Sequence, residues 1–161
     1  MKAFAYTRKI YENPRALSVL RAVDFTAVAV CAISLIAVII QSITDGDYVG
    51  ALTLSLTVGV PFVILSFMRR VINAKRPYEV YDFGVCIDGK SGSSFPSRHA
   101  FSAFAIAVAL MPSYLVLGIC AVIMGLLLCT VRVLLGLHFV RDVAVGAFVG
   151  VLGSLIGIFI F

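Results

Sequence analysis

Apolar residues run almost unbroken over positions 22–43, 48–68, 114–135 and 139–161, with a shorter run over 100–111. The long runs come close to the roughly 20 residues an α-helix needs to cross a bilayer. The pattern predicts an all-α fold, a polytopic membrane helix bundle with about five transmembrane helices. At this length it reads as a single membrane-embedded domain over residues 1–161. The first run is longer than the roughly 7–15 apolar residues of a signal-peptide core, and no small-x-small site precedes Asp45. It is expected to be the first span, with Arg21 and Asp24 near its end. Ahead of it, residues 1–20 interleave Lys2, Arg8, Lys9 and Arg15 with Phe4, Tyr6, Ile10 and Tyr11, which suggests an interfacial basic segment broken near Pro14.

The breaks between the runs are turn-like. Thr44-Asp45-Gly46-Asp47 and Pro112-Ser113 read as tight turns by composition. Gly59 and Pro61 predict a kink in the second span, which neighbouring helices tolerate in a membrane. Gly146-x3-Gly150 and Gly153-x3-Gly157 have the small-residue spacing that lets helices approach closely, most simply within one bundle. One polar segment is long: residues 69–97, including the Gly/Ser run at 89–94. A flexible solvated loop is its plain reading, but long loops in compact proteins are commonly functional, and an active-site loop is expected here.

Composition sharpens this picture. The chain is 61% hydrophobic and 13% charged, well above the roughly 45–50% apolar content of soluble domains. The net charge of +5 comes from basic residues flanking apolar spans, so it argues for membrane topology and against a nucleic-acid partner. Cys31, Cys120 and Cys129 fall in spans and Cys86 in the loop. With no CxxC pair, neither a zinc site nor a disulfide framework is indicated.

Five spans place the junctions at Arg69, His99, Arg132 and His138 on one membrane face, together with the N-terminus. The other face holds only the Asp45/Asp47 turn, the Pro112 turn and the C-terminus. All 13 Lys and Arg residues then lie on one side. Discounting Arg69, Arg76, Arg98, Arg132 and Arg141 as candidate site residues leaves the other eight there. By the positive-inside rule that face is cytoplasmic, which predicts an integral protein of a prokaryotic cell membrane.

The chain has two histidines, His99 and His138, and both fall on this face, at helix starts and beside arginines. His138 and Asp142 are four apart, so on a helix they share a face. A carboxylate there orients the imidazole and leaves the second ring nitrogen free as base or nucleophile. An incidental histidine in a positively charged loop is the plain alternative, but ionisable groups at a membrane edge are costly and often functional. Several guanidiniums around two imidazoles suit a tetrahedral oxyanion, whose charge in phosphoryl transfer spreads over three oxygens. One histidine attacks phosphorus while the other protonates the leaving oxygen. No carboxylate cluster faces them, so this chemistry calls for no metal and no cofactor. Asp82 and Asp88 read as solvated loop acids.

These residues resemble the type 2 phosphatidic acid phosphatases, which share a fold with vanadium haloperoxidases. The family pattern is Lys-x6-Arg-Pro, then Pro-Ser-Gly-His, then Ser-Arg-x5-His-x3-Asp. Here the three blocks read Arg69-x6-Arg76-Pro77, Pro96-Ser97-Arg98-His99 and Val131-Arg132-x5-His138-x3-Asp142. The resemblance implies a phosphatase acting on a lipid phosphate or diphosphate, phosphatidic-acid-like or polyprenyl, through a phosphohistidine. It implies His138 as nucleophile, Asp142 as its orienting group, and His99 as general acid and then base. Arg69, Arg76, Arg132 and Ser97, with the amides around 97–99, would hold phosphate oxygens. Three departures stand out: Arg69 for lysine, Arg98 for glycine, and Val131 for serine. Arg98 would add a phosphate contact or narrow the substrate range. A lipid phosphotransferase and a non-catalytic membrane module with a degenerate oxyanion pocket are the alternatives.

Overall fold

The computed structural model describes residues 5–83 and 91–161. Cys86, Asp88, Gly89 and Lys90 of the polar segment, and Lys2 and Phe4, lie outside the described residues. The described chain forms α1 (Ala5–Glu12), α2 (Pro14–Thr44), α3 (Tyr48–Ile72), α4 (Pro77–Val80), α5 (Arg98–Leu110), α6 (Leu115–Leu134) and α7 (Val140–Ile160), with no strand among the described residues.

Four of these helices are long and apolar enough to cross a bilayer, beginning at Pro14, Tyr48, Leu115 and Val140. Large apolar side chains are exposed along them, including Phe25, Ile33, Leu52, Val63, Phe67, Leu126 and Phe159. Such a belt is expected of helices facing lipid, where every backbone group is paired within the helix. The protein is an integral membrane protein. The fifth apolar run behaves differently. With 13 residues, α5 is about 20 Å long at 1.5 Å per residue, short of the roughly 30 Å hydrocarbon core. It is the most enclosed element, with Ala100, Phe101, Ala103, Ala105, Ile106, Ala107 and Leu110 all buried. It packs on α2, α3, α6 and α7, so protein rather than lipid sets its length.

The first span starts earlier than its apolar run. Pro14 opens α2 instead of merely breaking what precedes it. Proline has no N–H, and at the first helical position none is needed. Asn13 caps the helix by accepting the amides of Arg15 and Ala16 at 3.1 and 3.2 Å. The preceding basic segment forms α1, docked on the end of α6. There Thr7 donates to the Leu134 carbonyl at 3.1 Å, and Tyr11 to that of Leu135 at 3.3 Å. Helix α3 runs through Pro61 as one element.

The α7 glycines pack within the bundle, as their spacing predicted. A Cβ on Gly146 would overlap the Ser97 carbonyl oxygen, and one on Gly150 that of Phe101. Helices α5 and α7 therefore touch backbone to backbone. This close approach brings the start of α5, which carries His99, against the start of α7, which carries Asp142.

Candidate active site

The turn between α6 and α7 places His138. Gly136 has φ +66°, a left-handed conformation that costs glycine nothing. The amide of Gly136 donates to Val133 at 3.0 Å and that of Leu137 to Arg132 at 3.0 Å, the paired bonds of a Schellman end. The His138 amide also donates to the Arg132 carbonyl, at 3.3 Å. The five residues between Arg132 and His138 thus form a helix-ending turn that ties the two backbones together. His138 itself lies ahead of α7, so it does not share a helix face with Asp142 as the spacing suggested. The pair meets because Asp142, in the first turn of α7, folds back and accepts the Phe139 amide at 3.1 Å.

His138 and Asp142 are both fully buried. The His138 Nδ1 is 3.7 Å from Asp142 Oδ2, too far for a direct hydrogen bond. The Ser94 hydroxyl bridges them, donating to Asp142 Oδ2 at 2.5 Å and lying 3.4 Å from His138 Nδ1. With Nδ1 facing this pair, Nε2 is the nitrogen left for chemistry. Burial pushes the His138 imidazole below its usual range; Arg76 and Arg69 push the same way and Asp142 opposes them.

His99 occupies the first turn of α5, capped by Ser97, whose hydroxyl accepts the Ala100 amide at 3.5 Å. The Ser97 amide donates to the Asp142 carbonyl at 2.9 Å, so it is spent on packing α5 against α7 and is withdrawn from the expected anion-binding set. The amides of Arg98 and His99 occupy the first helical positions, which have no intrahelical partner. The His99 Nδ1 is buried without a hydrogen-bond partner. The charges acting on its ring are those of Arg132, His138, Arg98 and Arg69.

The arginines arrive from four elements. Arg69, at the end of α3, is buried and donates from Nη1 to the Pro96 carbonyl at 3.1 Å. Arg76 donates from Nε to Gly92 at 3.1 Å and from Nη1 to Leu137 at 3.3 Å, joining the polar segment to the α6–α7 turn. Arg132, in the last turn of α6, pairs with Asp24 of α2. Arg98 is exposed at the start of α5. Every predicted site residue therefore falls at one end of the bundle. Beside them, a cavity of about 390 Å³ lies among α2, α3, α5 and α6. Arg98, His99 and Ser102 form its polar end, and its walls are apolar, with Val28, Leu35, Phe62 and Ile106 among them.

Sequence reasoning missed three supporting residues. Glu79 clamps the polar segment, accepting the Arg76 amide at 2.7 Å, the Ser91 hydroxyl at 2.6 Å and the Gly92 amide at 2.9 Å. Its place three residues after the start of a proline-led turn was a visible capping signal. Asp24, an acid inside an apolar run, was also a visible signal. Nothing distinguished Ser94 within its Gly/Ser run. Among the described residues, no three His, Cys, Asp or Glu side chains group closely enough to hold a metal ion.

Fold and site together support a membrane lipid phosphatase. The chain belongs to the PAP2 superfamily, whose family model matches residues 26–160. Two solved structures are similar in fold. Aquifex aeolicus LpxE is 21% identical with a TM-score of 0.65, the match covering 88% of this chain and 93% of that one. The transmembrane PAP2-type phosphatidylglycerolphosphate phosphatase of Bacillus subtilis is 23% identical with a TM-score of 0.72, covering 96% of this chain and 81% of that one. No curated protein matches the sequence at a comparable level.

Proposed function

We propose that this protein hydrolyses the phosphate or diphosphate of a membrane lipid through a phosphohistidine. Its single membrane-embedded domain spans the whole chain. The observation that carries this reading is the convergence of His99, His138, Arg69, Arg76, Arg98 and Arg132 at one end of the bundle, where their charges act on one another, beside an apolar-walled cavity whose polar end is Arg98, His99 and Ser102. A headgroup at that end leaves its tail among apolar side chains.

In the proposed reaction, Nε2 of His138 attacks phosphorus and the P–O bond to the lipid breaks. His99 gives its proton to the leaving oxygen, so the alcohol (or lipid monophosphate) departs neutralised. His99 then takes a proton from water, whose oxygen attacks the phosphohistidine. The P–N bond breaks, and inorganic phosphate and free His138 result. Asp142, held by Ser94, orients His138 and stabilises its charge as it attacks. Arg69, Arg76 and Arg132, with Arg98, the Ser97 hydroxyl and the amides of Arg98 and His99, stabilise the charge on the equatorial oxygens.

The described Lys and Arg residues lie at the end of the bundle that holds the site, while the Asp45–Asp47 turn and Phe161 share the other, where Thr53 donates to the Phe161 carbonyl at 3.1 Å. By the positive-inside rule this supports a cytoplasmic active site in a prokaryotic cell membrane. The test is phosphate release from micellar phosphatidic acid and farnesyl diphosphate, with His138→Ala as control. Release by the wild type and its loss in the variant are expected; undiminished release in the variant rejects the nucleophile.

A further inference from the structure

Asp24 is the sole acid of α2, and it grips Arg132 along one edge. The Arg132 Nε lies 2.6 Å from Asp24 Oδ1, and Nη2 donates to Oδ2 at 2.9 Å. The two side chains are 13% and 19% exposed. A carboxylate inside an apolar span carries a desolvation cost, and such groups are functional by default in membrane proteins. The geometry gives it a task. A guanidinium has five N–H donors. Asp24 accepts one Nη2 hydrogen and lies against the Nε side as an ion pair without a hydrogen bond there, leaving the two Nη1 hydrogens and one on Nη2 for an oxyanion. The Arg132 carbonyl is held at the same time by the amides of Leu137 and His138. The side chain is thus fixed by α2 and the main chain by the turn that carries the nucleophile.

Charge points the same way. Arg69, Arg76, Arg98 and Arg132 converge, with Asp142 acting on Arg69, Glu79 on Arg76 and Asp24 on Arg132. Four guanidiniums gathered at one end of the bundle would hold product phosphate tightly, and Asp24 is the acid that offsets Arg132. We infer that Asp24 is a positioning residue that aims the free edge of Arg132 at the phosphoryl group on His138 and competes with phosphate for Arg132, so that product leaves. The inference rests on the phosphatase reading above.

The experiment uses the full chain in detergent micelles with phosphatidic acid, reading kcat, KM, inhibition by inorganic phosphate and calorimetric vanadate binding. In Asp24→Asn, kcat is expected to fall about 10- to 100-fold, the scale for a misplaced catalytic group. Phosphate and vanadate are expected to bind several-fold more tightly, because a competing anion is gone. The tightening is expected to vanish when Asp24→Asn is placed in an Arg132→Gln background. Asp24→Glu keeps the charge, so wild-type phosphate inhibition with an intermediate kcat is expected; it reads the geometry alone if Asp24→Asn does not fold. Asp24→Asn with a lower melting temperature but wild-type kcat and oxyanion binding overturns the inference, as does a wild-type kcat in Asp24→Glu. A wild type that releases no phosphate overturns the phosphatase reading instead, and the vanadate comparison still decides the competition.

Discussion

The Ser94 hydroxyl donates to the Asp142 carboxylate at 2.5 Å and holds it 3.7 Å from the ring of His138. All three side chains are fully buried, so each has a fixed partner and little room to shift. Ser94 lies between the two residues that the motif pairs directly. It reaches them because its own amide is anchored to the Ala74 carbonyl at 2.8 Å. Ser94→Ala removes the bridge and leaves Asp142 Oδ2 with the Phe139 amide as its remaining donor. Loss of a hydrogen bond to a charged group costs about 1.5–3 kcal/mol, visible as a lower melting temperature. Loss of ring alignment is expected to lower kcat by roughly 10- to 100-fold, with KM little changed. A wild-type kcat in Ser94→Ala would show that Asp142 needs no help in orienting His138.

The lowered titration of His138 has a sign that can be checked. Burial disfavours its imidazolium, and Arg76 and Arg69 add repulsion that Asp142 only partly offsets. The folded value is thus below the unfolded one, near 6.5. Above that pH both states hold a neutral ring and the group contributes nothing. As pH falls below about 6.5 the unfolded chain binds the proton first, so stability drops until the folded ring also titrates. Thermal unfolding between pH 7.5 and 4.5 is expected to show this loss together with that of His99, which burial and then Arg132, His138, Arg98 and Arg69 lower to about 3, and His138→Gln is expected to reduce it. A stability that rises on acidification over that range, or that falls less in the wild type than in the variant, would reverse the assignment.

How much of this was legible in the sequence follows from the kind of interaction involved. The long apolar runs gave the spanning helices because a bilayer rewards unbroken hydrophobicity, and the Arg, His and Asp blocks marked the site because charge is costly there. The start of α2 was misplaced, since Asn13 and Pro14 act through capping and not through hydropathy. The length of α5 was hidden too: its thirteen residues suffice only because other helices enclose it. The pairing of His138 with Asp142 was anticipated for the wrong reason, helix periodicity, where a glycine turn and a returning carboxylate do the work. Ser94 and Asp24 act through long-range contacts, 48 and 108 residues away along the chain, which no local pattern encodes.

The glycine contact between α5 and α7 makes a sharper prediction than a packing argument usually allows. Gly146→Ala forces a methyl group into the Ser97 carbonyl, so the two helix starts must separate. Overpacking of this kind costs about 1–3 kcal/mol. Because the Ser97 amide is bonded to Asp142, activity is expected to fall along with the melting temperature. Gly59→Ala is the control: a Cβ there meets nothing within 4 Å, so folding and activity are expected to stay at wild type. Equal behaviour of the two variants, in melting temperature and phosphate release, would mean that the α5–α7 approach does not set the site.

The cavity beside His99 allows a test that separates headgroup recognition from tail recognition. Ala32 lies on its α2 wall, eight residues beyond Asp24, and is partly buried. Ala32→Phe fills part of the roughly 390 Å³ and leaves every charged residue of the chain in place. If the lipid tail lies there, KM for long-chain phosphatidic acid is expected to rise about tenfold, the scale of losing a few methylene contacts at roughly 0.8 kcal/mol each. Turnover of a short-chain, water-soluble phosphate ester should be unaffected, because the guanidiniums and both imidazoles are untouched. Measuring KM across a series of chain lengths decides the point. An increase that is uniform over the series would place the tail elsewhere and leave the cavity as packing space between helices.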